Sequence, residues 1–316
     1  MDEFEIIRRY FEPKTRNESV IVGVGDDGAI LRPEPGRDLV TVIDSLVAGV
    51  HFPDSLAPAD IGYRSVAVNV SDVAAMGGRP RWMTLALTLV DADPRWLEEF
   101  ARGLYAAGAE YGVDLVGGDT TRGSELVVSV QVFGDIGPEN VLTRSGAREG
   151  DGIYVTGTPG DAAAGLSILQ SGAQRSDSVD YLIGRFARPS ARVAVGRGLA
   201  PFATAAIDLS DGLYTDLEKL LAASGMAGSI EIDAIPLSPQ LASLMSADNA
   251  LRFALGGGDD YELCFTASSD DACREIANQC GVPITRIGEI LKGDRLSCTR
   301  GGDEYDYQDD GYRHFN

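Results

Sequence analysis

Lysine is nearly missing from this 316-residue chain, which carries only Lys14, Lys219 and Lys292. None of them follows a glycine-rich loop, so neither the phosphate loop G-x-x-x-x-G-K-[ST] nor the V-A-I-K lysine of a protein kinase is present. Histidine is limited to His51 and His314, which argues against a His-rich zinc site and a His-centred catalytic triad. The four cysteines, Cys264, Cys273, Cys280 and Cys298, all fall in the last 53 residues without C-x-x-C spacing. They are expected as reduced thiols, mostly core, in a reducing compartment. No apolar run approaches the ~18–20 residues of a membrane span. The opening segment is too acidic for a signal or transit peptide, so a cytoplasmic protein without a membrane partner is expected. Basic charge is short overall: 27 Lys and Arg against 48 Asp and Glu leave −21 at pH 7. Nucleic acid demands a basic footprint and is excluded as a partner on that ground.

Glycine, by contrast, is plentiful at 38 residues, well above the typical ~7%. The length predicts two domains at roughly 100–200 residues each. Val20–Val24 and Leu39–Ile43 read as short buried strands. Met83–Val90 alternates, with Met83, Leu85, Leu87 and Leu89 on one face, and Leu126–Phe133 does likewise through Val128, Val130 and Val132. Helices are predicted from near Pro58, on Val66, Val70 and Val73, and after Pro94, on Leu97, Phe100, Leu104, Ala107 and Tyr111. Beyond Gly146 the pattern restarts. Strands are expected at Ile153–Thr156, Thr204–Leu209, Glu262–Thr266 and Thr285–Ile290, and helices at Asp161–Gln170, Asp211–Ser224 and near Asp270–Gln279. The polar stretch Gly137–Gly150 sets the boundary, giving domains 1–140 and 141–316. The expected class is α/β (α+β), each domain a mixed sheet covered by helices.

Six motifs place aspartate beside Gly, Ser or Thr where an apolar segment ends: Gly25-Asp26-Asp27-Gly28, Ile43-Asp44-Ser45, Asn69-Val70-Ser71-Asp72, Gly117-Gly118-Asp119-Thr120-Thr121, Asp208-Leu209-Ser210-Asp211-Gly212 and Gly256-Gly257-Gly258-Asp259-Asp260-Tyr261. Any one of them is explained as a turn or helix cap. Six together point to hard oxygen ligands for Mg²⁺, which binds one or two carboxylates plus substrate phosphates. More than one Mg²⁺ is expected, supplying the positive charge that a polyphosphate needs and lysine does not provide, with Arg122 and Arg144 adding the rest. Thr156-Gly157-Thr158-Pro159-Gly160-Asp161 opens a helix and reads equally as an anion cradle or a plain helix start. His51 reads more simply as a hydrogen-bonded core residue than as a catalyst.

In order along the chain, these motifs resemble the thiamine-monophosphate kinase family, in the superfamily of aminoimidazole ribonucleotide synthetase and selenophosphate synthetase. The segments that carry the resemblance are Ala67–Gly77, Leu115–Gly123, Leu142–Ala147, Ala206–Leu213 and Asp260–Cys264. The resemblance implies Mg²⁺-dependent transfer of the ATP γ-phosphoryl group to the phosphate of thiamine monophosphate. It implies metal bound by Asp27, Asp44, Asp72, Asp119, Asp208 and Asp211, with Asp119, Asp208 and Asp211 acting in catalysis. It also implies ATP contacts at Gly118, Asp119, Arg144 and Ser210, and substrate contacts at His51, Asp259 and Tyr312. ATP and dimer contacts fall to the N-terminal domain, and the C-terminal domain completes the phosphate and substrate site. The family is typically a homodimer whose N-terminal sheets join into a barrel.

Three departures stand out. Val42-Ile43 replaces Ser/Thr-Thr before Asp44, Asp259 replaces a glutamate, and no aromatic is securely matched just before Gly103. Selenophosphate synthesis would want a reactive cysteine near the N-terminus, whereas the first here is Cys264. Ring-closing synthetases fit Asn69–Met76 and Asp260–Cys264 less well than the kinase does. A catalytically idle Mg²⁺- or nucleotide-binding module is the reading from another class, and it would be expected to have lost some of the six aspartates.

Overall fold

The computed structural model describes residues 2–12 and 18–307. The chain divides into two units, Met1–Val73 with Gly78–Pro138, and Ala74–Gly77 with Glu139–Asn316.

In the first unit a short helix α1 (Glu3–Ile6) precedes strands β1 (Val20–Val22), β2 (Ile30–Leu31) and β3 (Asp38–Val47). Helix α2 (Pro58–Ala75), β4 (Arg79–Leu89), α3 (Pro94–Tyr111), β5 (Asp114–Arg122) and β6 (Val127–Ile136) follow. The last four strands form one mixed sheet in the order β3-β6-β4-β5. Strand β6 is antiparallel to both β3 and β4, and β5 runs parallel to β4. Val40, Leu46, Val128, Val130, Val132, Met83, Leu85 and Leu87 are buried on the face that α2 and α3 cover. Helix α3 starts where the sequence says it should. Pro94 occupies its first turn, Asp93 accepts the Arg95 N–H at 2.9 Å, and Gly112 ends it in the left-handed conformation.

The two helices approach so closely that a Cβ on Gly103 would stand 1.7 Å from the Ala59 carbonyl oxygen. Gly103→Ala is therefore expected to destabilise the protein by about 1–3 kcal/mol. Thermal unfolding checks this, and an unchanged midpoint would mean that the helix crossing yields freely.

Three expectations need correction. Val20–Val24 is not a buried strand: β1 covers only Val20–Val22, and Ile21 is 45% exposed. Leu39–Ile43 is not a short buried strand: β3 continues to Val47, and Leu39 and Ile43 are 55% and 62% exposed. Strand β3 is a sheet edge with one face under helices and the other bare, so only Val40 and Leu46 of its alternating positions are buried. Nor does the Gly117–Thr121 motif end a strand. Strand β5 runs through it, pairing Gly118 with Leu85 and Asp119 with Ala86, because the parallel ladder supplies the backbone partners that the glycines seemed to forfeit.

The second unit contains β7 (Gly152–Thr156), α4 (Asp161–Ser171), α5 (Asp177–Ala187), α6 (Val193–Leu199), β8 (Ala205–Asp208), α7 (Leu213–Ser224) and β9 (Ala227–Glu231). It continues with α8 (Pro239–Leu244), α9 (Ala247–Gly256), β10 (Leu263–Ala267), α10 (Asp270–Cys280), β11 (Ile284–Leu291), β12 (Leu296–Arg300) and β13 (Asp303–Glu304). Its sheet order is β13-β12-β9-β11-β7-β10-β8, antiparallel except for the β12–β9 pair. Ile153, Val155 and Ile207 pack with Leu213, Leu217, Leu220 and Leu221 of α7. Tyr154, Ala206 and Phe265 pack with Val195 and Leu199 of α6 and Cys273 of α10. Both faces are thus covered, and all four cysteines are free thiols, three of them buried. Among the described residues no helix is long and apolar enough to cross a membrane.

Candidate functional site

Strand β8 ends on Asp208, and the chain then turns through Leu209-Ser210-Asp211-Gly212 before α7 begins at Leu213, two residues later than the sequence suggests. Gly212, at φ 124° and ψ 151°, is not helical, and Asp216 holds the loop before it. The buried Asp216 carboxylate reaches back so that Oδ2 accepts the N–H groups of Ser210 (2.9 Å), Asp211 (2.9 Å) and Gly212 (3.2 Å). The loop is thereby wrapped around one carboxylate. Lys219, one turn further along α7, donates to Asp216 Oδ1 at 2.8 Å and also pairs with Asp211. Burial works to lower its pKa, but the two carboxylates prevail and hold the ammonium above its ordinary value.

A second segment lies against this loop. Asp259 donates its N–H to the Ser210 carbonyl at 2.9 Å, and Tyr261 donates to that of Leu209 at 2.9 Å. The structure therefore brings Asp208, Ser210, Asp211 and Asp259 together on two tied loops. Asp259 (φ 72°) and Tyr261 (φ 53°) both take the left-handed conformation that side chains disfavour. Asp260 between them is buried, and its carboxylate accepts the N–H groups of Gly160 (2.6 Å) and Ala162 (3.0 Å) at the start of α4. Burial pushes Asp260 up to about 8, although those two donors favour the carboxylate. The Thr156–Asp161 loop is thus a helix start satisfied from within, with the Asp260 carboxylate in the place where an anion would sit.

Glu262, also buried, anchors the same region. It accepts from Arg185 at 2.7 Å, Arg192 Nε at 2.6 Å and Thr156 at 2.6 Å. Burial raises its pKa, but Arg192 and Arg185 hold it below the ordinary glutamate value.

The first unit distributes its aspartates more widely. Asp44 and Asp119 stand on the two outer strands of the sheet, β3 and β5, with β6 and β4 between them. Their backbones are therefore roughly 14 Å apart. Asp44 shares a row with Val130, Leu85 and Gly118, while Asp119 shares the next row with Ala86, Ser129 and Ser45, so the two side chains belong to opposite faces. Burial raises the Asp44 pKa, and the nearby His51 opposes that rise. His51 is half-buried, and its Nδ1 accepts the Val47 N–H at 3.0 Å. Asp72 sits half-buried in the last turns of α2, and Asp27 is exposed in a loop beside Asp26.

Gly118 is glycine of necessity, because a Cβ there would lie 1.9 Å from the Leu85 carbonyl oxygen. Phe100 is fully buried and stacks on Trp96 at 5.0 Å, which makes it a core residue rather than a nucleotide contact. Arg144 is exposed. Tyr312 lies outside the described residues.

Among the described residues no three His, Cys, Asp or Glu side chains converge as a ready metal cage. That is compatible with Mg²⁺, which needs only one or two carboxylates and takes its other oxygens from water and substrate phosphates. The donor set is purely oxygen, and the Asp211–Asp216 pair already accommodates a cation in the Lys219 ammonium. The residues present fit the metal.

Asp216, Lys219, Asp260 and Glu262 escape a sequence reading aimed at exposed ligands. The available signal was a carboxylate beside the inward positions of α7, where Asp216 falls between Leu213 and Leu217.

Residues 25–136 match the family model for the AIR synthase related protein, N-terminal domain, and residues 148–301 match that for its C-terminal domain. The thiamine-monophosphate kinase of Salmonella typhimurium is 45% identical over 99% of this chain and 98% of its own length. The crystal structure of thiamine-monophosphate kinase from Stenotrophomonas maltophilia superposes with a TM-score of 0.86 at 42% identity, covering 96% of each chain. AaThiL complexed with AMPPCP and TMP superposes at 0.80 with 32% identity, covering 99% of this chain and 96% of that one. The chain belongs to the AIR synthase related proteins and, within them, to the thiamine-monophosphate kinase family.

Proposed function

We propose that the chain transfers the γ-phosphoryl group of ATP to the phosphate of thiamine monophosphate, giving thiamine diphosphate and ADP. Full-length identity to relatives of that name supports the reaction. The observation that carries the site assignment is the Asp208–Gly212 loop, wrapped around Asp216 and tied to Asp259. We assign Asp208 and Asp211 in the second unit, and Asp27, Asp44, Asp72 and Asp119 in the first, as Mg²⁺ ligands. Gly118, Arg144 and Ser210 are assigned to ATP. His51 and Asp259 are assigned to thiamine monophosphate, as is Tyr312 from the sequence resemblance.

The chemistry needs no general base. A phosphate monoester has a second pKa near ~6, so the acceptor is largely a dianion at neutral pH. What must be overcome is the repulsion of two anions. The exposed Arg144 is the residue assigned to offer a guanidinium to that charge. Metal, when bound, supplies charge neutralisation on the phosphoryl oxygens. Transfer is direct and in line, without a phosphoenzyme.

The bare face of the β3-β6-β4-β5 sheet, with Leu39 and Ile43 exposed on its edge strand, supports a homodimer in which two such sheets close into a barrel. Four free thiols support a reducing, cytoplasmic setting.

Phosphorus NMR of the protein with ATP, Mg²⁺ and thiamine monophosphate tests the reaction. Thiamine diphosphate is expected with the monophosphate, absent with free thiamine, and abolished by EDTA. ADP and free phosphate without thiamine diphosphate would point to a different acceptor, and no turnover at all would favour a binding module.

A further inference from the structure

Lys219 is one of three lysines in the chain, and it spends its charge on two carboxylates of the candidate site. Its ammonium donates to Asp216 Oδ1 at 2.8 Å and pairs with Asp211. Asp216 has little need of it, since its other oxygen already accepts three backbone N–H groups. Asp211 is different, being the exposed partner that the loop presents to solvent. Side-chain exposures of 38% for Lys219 and 37% for Asp211 leave the pair open to a competing cation.

We propose that Lys219 is a built-in counter-cation that competes with Mg²⁺ for Asp211 and so sets the metal concentration the enzyme requires. The inference rests on the assignment of Asp211 as a metal ligand. A half-exposed ion pair is weak, so a divalent cation can displace it, yet its loss still changes the competition. In the absence of metal the ammonium keeps the carboxylate-rich loop from repelling itself open. When metal arrives, Asp216 retains Lys219 nearby, and the ammonium continues to weaken the field at Asp211. Lys219 is thus a positioning residue that acts through Asp211.

The test compares the full-length parent with Lys219→Gln, Lys219→Arg and Asp211→Asn. Two Mg²⁺ titrations are run: the activation curve with ATP and thiamine monophosphate, and the thermal-unfolding midpoint with a non-hydrolysable ATP analogue. Lys219→Gln is expected to lower the half-saturating Mg²⁺ concentration by about two- to fivefold in both titrations. It should also lower the unfolding midpoint in EDTA, with the deficit closing as Mg²⁺ is added. Lys219→Arg keeps the charge and should track the parent, whereas Asp211→Asn should raise the requirement.

An unchanged or raised requirement in Lys219→Gln, alongside a raised one in Asp211→Asn, would overturn the counter-cation role and leave the ligand assignment standing. A raised KM for ATP at saturating Mg²⁺ in Lys219→Gln would likewise overturn it, since Lys219 would then contact phosphate itself. Parent-like behaviour of Asp211→Asn would overturn the ligand assignment and the inference with it.

Discussion

An Asp119→Asn variant is expected to lose at least ~100-fold in turnover, while its melting temperature stays within about 2 °C of the parent. The two halves of that expectation have separate causes. Asp119 lies within β5, where its backbone is secured by pairing with β4 at Ala86, and its side chain is exposed. The isosteric amide therefore removes charge without opening a cavity or breaking the ladder. What it does remove is a hard anionic oxygen next to Gly118, where the Leu85 carbonyl has already excluded every side chain. Steady-state kinetics and a melting curve on the same preparation decide the matter. Normal turnover would make Asp119 an ordinary strand residue, and a collapsed melting temperature would make it a structural one.

Glu262→Gln is expected to act the other way, through stability first, at a cost of roughly 3–5 kcal/mol at neutral pH. The carboxylate is buried and receives Arg185, Arg192 and Thr156 together, so the substitution leaves two cationic groups facing a neutral amide. The same pair makes a pH signature. Glu262 has a folded-state pKa below its ordinary 4.5, because the two arginines outweigh burial. The unfolded chain therefore takes up this proton first as the solution is acidified. The stabilisation is fully present above about pH 4.5 and is lost as pH falls through the lower folded value. Thermal or urea unfolding between pH 7 and pH 3 should show the parent falling towards the variant across that acid window. A parallel offset at every pH would mean that the ion pairs contribute nothing specific.

Glu262 also shows why stability and site cannot be separated in the second unit. Strand β10 begins at Leu263, immediately after it, and the strained Asp259–Tyr261 turn lies immediately before it. Holding Glu262 between β7 and the arginines of α5 and its C-terminal flank fixes where that turn leaves the sheet. Asp260 then fastens it to the start of α4. The left-handed conformations at Asp259 and Tyr261 persist because these anchors over-determine the backbone.

Periodicity and end signals were enough for the elements that lie in plain amphipathic order. Pro94 and the spacing from Leu97 to Tyr111 mark α3 from sequence alone, and the alternation of Met83, Leu85, Leu87 and Leu89 gives the buried face of β4. The mixed α/β character of both units and the aspartate-rich motifs were legible in the same way, because spacing and side-chain type are local properties. The exposed course of β3 was not legible, since an apolar strand at a sheet edge has the same local pattern as a buried one. Nor was the passage of β5 through Gly117–Thr121, because only the partner strand shows where the backbone groups go. Asp260 and Glu262 reveal their roles only when distant donors are brought to them: α4 presents its N-terminus to Asp260, and Arg185 and Arg192 meet on Glu262 across some seventy residues. The sequence by itself determined the oxygen-donor chemistry and the absence of a lysine phosphate loop. The tertiary structure decided which carboxylates face outward as candidate ligands and which are buried as anchors, because that choice depends on whether a backbone N–H or an arginine from elsewhere in the chain arrives to satisfy them.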